Sequence, residues 1–252
     1  MISFIALGNH GRLGNQMFQV AAALSAADRL KTKAHFPRGT QVEQVFKLKD
    51  CLFTDSIQPK FAYFEKSFEF DPNFLNVPDS CNIHGYFQSE KYFKDCESLI
   101  IENFSFKESI KESSLEIMSS YNSDKCSVHV RRGDYVNLSE VHQFPGVEYY
   151  QKAMDRIKDS SRDVKFLIFS DDIEWCKKLD VFKECQFVTQ GSDDIEMCMM
   201  SMCEFHIIAN SSFSWWGSKL SKSSLTIAPA RWFGSKGPGN WNDVYCKNWE
   251  TI

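Results

Sequence analysis

Val164-Lys165-Phe166-Leu167-Ile168-Phe169 is an almost unbroken apolar run, and Ser170-Asp171-Asp172 follows it directly. A strand with one wet face alternates apolar and polar residues, whereas a strand covered on both faces does not. Upstream, residues 147–158 set Val147, Tyr150, Met154 and Ile157 on one helical face, and residues 127–130 read as a preceding strand. Downstream come a short helix at 173–179, a strand at 186–189 and a helix at 193–203 capped near Ser192. A strand at 205–209, a helix at 212–220 and a strand at 224–228 complete the series. This alternation predicts an α/β fold with a parallel sheet and helices on both faces.

The start of the chain opens in a βαβ-like way. Residues 2–7 read as a strand, Gly8, Gly11 and Gly14 punctuate a loop, and Met17, Val20, Ala21, Leu24, Ala27 and Leu30 form one face of a helix. Residues 34–37 are the next strand. From 38 to 123 the chain is rich in Phe, Lys, Asp and Asn, is broken by Pro59, Pro72 and Pro78, and reads as short helices and loops. Two lobes are therefore expected, residues 1–123 and 124–230, with a tail at 231–252 packing back on the first. Ligands in such sheets bind beyond the carboxyl ends of the strands, so a cleft is expected there between the lobes.

A net charge of −4 excludes a broad basic surface for nucleic acid, so any anion site must be local. The nine cysteines are odd in number, irregularly spaced and without a C-x-x-C pair. They read as reduced thiols rather than a disulfide scaffold or a zinc site. The first apolar run is too short for a signal peptide, and no run approaches the ~20 apolar residues of a spanning helix. A cytoplasmic protein is expected, compatible with a peripheral contact at the inner face of a membrane.

Four segments at strand ends carry candidate chemistry. The first is His129-Val130-Arg131-Arg132-Gly133-Asp134-Tyr135. Two adjacent guanidiniums make a dense positive spot, and arginine suits bidentate contact with phosphate oxygens. Neighbouring side chains on a strand point to opposite faces. One arginine is then expected to face a ligand while the other braces the loop, with Asp134 as its natural partner. The competing reading is a surface loop with an Arg132–Asp134 ion pair. The second segment, Gly11-Arg12-Leu13-Gly14-Asn15-Gln16, could bring backbone N–H groups to an anion at a helix start. Its glycine spacing is not that of a dinucleotide fold, and no acid ends the second strand, so a nicotinamide cofactor is not expected. The third, Ser170-Asp171-Asp172, offers a carboxylate for the paired N–H donors of a guanine edge, or a helix cap, or a metal ligand. The fourth, Ala209-Asn210-Ser211-Ser212-Phe213-Ser214-Trp215-Trp216-Gly217, combines hydroxyls with helix N–H groups in a neutral cradle for a diphosphate. At least one of its tryptophans, the Met197–Met202 cluster and His206 read more simply as core.

The combination resembles the α-1,2-fucosyltransferases of glycosyltransferase family 11. The matching segments are residues 11–19 (GRLGNQMFQ), 85–93 (GYFQSEKYF), 129–135 (HVRRGDY), 169–175 (FSDDIEW) and 200–217 (MSMCEFHIIANSSFSWWG), followed by Arg231-Trp232-Phe233. The resemblance implies a GT-B type fold of two Rossmann-like lobes with the donor-binding cleft between them. It implies GDP-β-L-fucose as donor, no metal or other cofactor, and inversion to an α-linkage on galactose O2. The acceptor would be a galactoside oligosaccharide such as lactose, or an O-antigen or glycan precursor. By similarity Arg131 or Arg132 neutralises the leaving phosphate. His129, Asp172, Asn210, Ser211 and Ser212 would bind the donor, with Arg12, Gly14 and Asn15 approaching it from the first lobe. Tyr86, Gln88, Glu90 and Trp215 are the acceptor-side candidates, and Asp134 or Glu90 the candidate base. Two alternatives stay open: the same donor with another acceptor (a glycan core or a peptide), or a sugar-nucleotide-binding module without turnover.

Overall fold

Ile2 and Ser3 form strand β1, which ends where Asn82 intervenes. The Asn82 Oδ1 accepts from the Ser3 hydroxyl at 3.1 Å and from the Ile5 amide at 2.9 Å. The apolar run to Leu7 is therefore strand only at its start and then turns, with Phe4 and Leu7 still buried. Helix α1 (Leu13–Arg29) begins earlier than the apolar pattern suggests, and Gly14 and Asn15 lie in its first turn. Almost every residue from Leu13 to Ala27 is buried, because Ala21, Ala22, Ala23, Ala26 and Ala27 let neighbours approach on all sides. The computed structural model describes residues 1–252, with the side chain of Asp134 outside the described part.

The remaining elements of this first unit are β2 (Ala34–Phe36), α2 (Gln41–Val45), β3 (Cys51–Phe53), β4 (Phe61–Phe64), β5 (Cys81–His84) and α3 (Glu97–Asn103). Its five strands are all parallel, in the order β3-β2-β1-β5-β4. Three of them lie in the stretch read as helices and loops. They are three or four residues long, and β4 is an edge strand with Phe61 and Phe64 exposed, so neither alternation nor a continuous apolar run marks them.

The second unit begins with α4 (Glu108–Met118), which packs on a later helix at Asp193–Ser201. This contact sets the division after Lys107 rather than at residue 123. There follow β6 (Asp124–Val130), α5 (Val147–Ser160), β7 (Val164–Ser170), α6 (Ile173–Cys176), β8 (Gln186–Phe187), α7 (Asp193–Ser201), β9 (Phe205–Ile207), α8 (Ser212–Lys219), β10 (Leu225–Ala228) and β11 (Glu250–Thr251). The sheet order is β11-β10-β9-β6-β7-β8, all parallel. Alternate residues of β7 serve opposite faces: Phe166 and Ile168 join the core under α5, and Leu167 and Phe169 join the core with Met199 and Met200 of α7. The tail divides: Asn240–Cys246 belongs to the first unit, where Asp243 pairs with Lys91, and Lys247–Ile252 to the second, where β11 extends the sheet.

Both sheets reverse direction of growth once. In the first unit the reversal lies between β1 and β5, and in the second between β6 and β9. The loops at those points are where an open α/β sheet receives a ligand. Among the described residues no helix is long and apolar enough to cross a membrane.

Candidate functional site

The second unit's site is set by register. β6 and β7 pair along their whole length, ending with Val130 opposite Ser170. One step further brings Arg131 to Asp171 and Arg132 to Asp172. The Arg131 guanidinium meets Asp171 Oδ2 at 3.0 Å, and Asp171 Oδ1 accepts from the amides of Arg132 at 2.9 Å and Gly133 at 3.1 Å. Three donors thus converge on one carboxylate, a nest of the kind that holds anions. Arg132 pairs with Asp172 and lies over the Trp175 ring at 4.6 Å. Asp172 also caps α6, accepting from the Trp175 amide at 3.2 Å. One arginine therefore closes an anion nest and the other is braced. The observed braces are Asp171 and Asp172, and the expected Asp134 side chain is outside the described residues.

His129 stands at the end of β6 beside this nest, 4% exposed, with Nδ1 buried and unpartnered. Burial, reinforced by the Arg131 charge, pushes its pKa down to about 3, so the ring is neutral at pH 7. Its carbonyl accepts from Tyr150 Oη at 3.1 Å, and its ring tilts against Phe213 at 5.6 Å. Across the reversal, Ser211 caps α8 by accepting from the Phe213 amide at 3.3 Å, and Ser212 follows in the first turn. Asn210 differs from expectation. Its amide donates to the carbonyls of Gln143 at 3.0 Å and Trp232 at 2.9 Å, and it is buried, so its side chain ties two loops beneath the surface. Tyr135 Oη donates to the Asn210 carbonyl at 2.8 Å, joining the basic loop to the β9 end.

The first unit carries its own loop cluster at the β1–β5 reversal. Gly11 has φ +87°, and a Cβ there would stand 2.1 Å from Asn15 Nδ2. Only glycine lets Asn15 fold back, and Asn15 Oδ1 then accepts from Gln88 Nε2 at 2.8 Å. Gln19 Nε2 donates to the carbonyls of His10 and Gly85, linking the same two loops. Glu65 receives the amides of Tyr86 at 2.6 Å and Phe87 at 3.0 Å, which leaves Tyr86 projecting at 46% exposure. Burial nevertheless pushes the Glu65 carboxyl up. Gln88, Asn15 and Tyr86 are thus gathered, with the half-buried Glu90 close by in sequence. Arg12 is exposed at the N-cap of α1, and Gly14 is buried inside the helix.

Trp215 is a correction. It is 0% exposed and sits edge-on to Trp216 at 4.9 Å and Trp249 at 5.5 Å, so it offers no face to an acceptor. His206 is a core residue, as the sequence suggests, held between the hydroxyls of Ser127 at 2.7 Å and Ser221 at 2.8 Å. Asp171 and Tyr135 lie within the candidate segments but were given no role of their own, and Glu65 lies outside them. The paired acids after β7 hinted at Asp171, but only the strand register reveals its partner. Glu196 of α7 was also missed. Burial pushes it up to about 8, with Asp193 and Asp171 adding to the shift. Among the described residues no group of three or more His, Cys, Asp and Glu side chains is arranged to hold a metal ion.

Comparison with known proteins gives this architecture relatives. An α-1,2-colitosyltransferase of Escherichia coli is 32% identical, over 88% of this chain and 90% of that one. The mouse galactoside 2-alpha-L-fucosyltransferase Sec1 is 24% identical over 83% of this chain, which spans 62% of its length. Among solved structures, fucosyltransferase NodZ from Bradyrhizobium superposes with a TM-score of 0.59 at 15% identity, covering 87% of this chain and 92% of that one. POFUT1 in complex with GDP gives 0.55 at 14% identity, with 87% and 94% covered. These likenesses establish the two-unit GT-B type fold. The model of glycosyl transferase family 11 matches residues 4–252. The chain is a glycosyltransferase and belongs to glycosyl transferase family 11.

Proposed function

We propose that this enzyme moves L-fucose from GDP-β-L-fucose to O2 of a galactose-containing glycan, with inversion to an α-1,2 linkage. The observation that carries the reading is the nest at the end of β6, where Arg131 and the Arg132 and Gly133 amides converge on Asp171. A guanidinium carries five N–H donors, more than the Asp171 carboxylate takes, so a diphosphate can bind Arg131 beside Asp171 while Asp171 holds the turn. As GDP departs, negative charge grows on its β-phosphate while the sugar gains oxocarbenium character. A fixed guanidinium at that point stabilises the transition state more than the ground state. Ser211, Ser212 and the α8 amides supply further neutral donors, and neutral His129 adds hydrogen bonding without charge. Asn15, Gln88, Tyr86 and Glu90 serve the sugar side, with Glu90 or Asp134 as the base that accepts the acceptor's proton.

The names of the relatives support an α-1,2 linkage, and one of them transfers colitose, so a colitosyl nucleotide belongs in the donor panel. A second reading keeps the donor and changes the acceptor. It is supported by the solved neighbours, which include an α-1,6-fucosyltransferase soaked with GDP-fucose. The test is GDP release in EDTA with lactose and with type 1 and type 2 disaccharides, followed by NMR of the product linkage. Release with an α-1,2 product is expected. No release with any acceptor would sink the transfer reading, a different linkage would select the second reading, and loss of activity in EDTA would sink the metal-free one.

A further inference from the structure

A cavity opens in the first unit beyond the ends of β1 and β2, between the turn that carries Gly8 and Gly11 and the turn that carries Arg38 and Gly39. It is open to solvent and has a volume of about 510 Å³, enough for a substituted sugar unit. Thr40 lines it and stands at the N-cap of α2, where a threonine hydroxyl normally accepts from a first-turn amide. Here that duty is taken over: the Val42 amide donates to Gln16 Oε1 at 3.4 Å. The Thr40 hydroxyl is left with no partner, in a residue only 5% exposed. Buried hydroxyls without partners are uncommon, and one on a cavity wall points to a ligand.

The charges agree. Arg12 and Arg38 both line the cavity, and neither side chain makes an ion pair or hydrogen bond within the described residues. Among the described residues no carboxylate lines it. The nearby acid, Glu43, is turned onto the Gly39 amide at 2.7 Å. Two unneutralised guanidiniums lining one cavity repel each other, and a neutral sugar does nothing to relieve this. An anion does, accepting from both and from the Thr40 hydroxyl.

We infer that this cavity binds an anionic substituent of the acceptor glycan, a carboxylate or a phosphoryl ester. The inference rests on the transfer reading for the word acceptor, because that reading already supplies the donor's diphosphate with partners in the second unit. The test uses three galactosides: neutral lactose, lactobionate with its carboxylate, and lactose 1-phosphate. Binding of each is measured calorimetrically without donor, and GDP release is measured with each. One or both anions should bind about tenfold more tightly than lactose, and which one does distinguishes carboxylate from phosphoryl recognition. Arg38→Gln and Thr40→Val should bring the anion-to-lactose ratio towards one, and Lys60→Gln, which removes a positive charge outside the cavity, should leave it. Thermal unfolding of each variant shows whether it is folded. Equal affinity for all three galactosides, or a preference that survives Arg38→Gln in a folded protein, overturns the inference. So does an Arg38→Gln variant that raises the donor KM while keeping the acceptor preference, since the cavity then serves the nucleotide. A binding preference without GDP release would count against the transfer reading alone, and release without preference against the anion site alone.

Discussion

Arg131 and Asp171 face each other at 3.0 Å, one residue beyond the parallel ladder that ends with Val130 opposite Ser170. The pair is a consequence of register, and Arg132 with Asp172 is the next step of the same register. Asp171 therefore orients the guanidinium proposed to meet the leaving phosphate and holds the turn that carries it. Arg131→Ala is expected to lower kcat by about 10²–10³, the cost of losing a donor at a developing oxyanion. Asp171→Ala leaves the guanidinium present but unheld, and should lower kcat by about tenfold. Asp171→Asn, which keeps an acceptor oxygen, should fall between wild type and Asp171→Ala. Steady-state GDP release at saturating acceptor reads all three, and a wild-type rate for Asp171→Ala would show that Asp171 has no hold on the loop.

Gly133 tests the same nest from its other side. A Cβ at Gly133 would stand 2.6 Å from Asp171 Oδ2, against a carboxylate fixed by three bonds. Gly133→Ala should therefore displace Asp171 and reproduce the kinetic loss of Asp171→Ala. Combining the two should cost little more than either alone, because both break one arrangement. Losses that multiply in the double variant would mean that Gly133 matters for some other reason.

The second unit was the more legible in sequence. Val164–Ser170 is covered on both faces, and its helices show clear apolar faces, so element and order could be read directly. In the first unit β3, β4 and β5 are too short to show a period, and β1 is cut off by Asn82, a residue 79 positions away in sequence from Ser3. Within the site, the arginine pair was visible as a local anion patch. Its braces were not, because register is a relation between two strands rather than a property of either. Asn210 and Trp215 were read as facing a ligand because a motif does not record which side of a turn another loop will cover.

Gly11 supports the loop cluster of the first unit through backbone conformation. Its φ of +87° and the 2.1 Å approach of Asn15 Nδ2 to its Cβ position leave no space for alanine. Gly11→Ala should break the Asn15–Gln88 bond and destabilise the first unit by more than about 1 kcal/mol. The thermal midpoint and the acceptor KM should both change. An unchanged midpoint would mean that the turn accepts a side chain.

Trp215 separates stability from recognition. As a fully buried residue between Trp216 and Trp249, it should cost about 3–5 kcal/mol when changed to alanine. Trp215→Phe keeps much of the packing and should fold. Its acceptor KM should match that of wild type, and a large rise in KM without loss of stability would restore Trp215 as an acceptor contact.

His206 gives the fold a pH dependence whose sign can be worked out. Its ring is buried between Ser127 and Ser221, and burial pushes its pKa down to about 3. In the unfolded chain a histidine titrates near the ordinary value of about 6.5. Below that value the unfolded state binds the proton and the folded state does not, so stability falls as pH drops from 7 towards 3. Between pH 7 and pH 5 the loss amounts to about 2 kcal/mol for this residue. His129 carries the same sign over the same window. His206→Gln removes this contribution while leaving the carboxylates unchanged. The stability difference between pH 7 and pH 5, from urea unfolding, should therefore be about 2 kcal/mol smaller in His206→Gln than in wild type. An identical difference in the two proteins would mean that His206 already takes up its proton in the folded state.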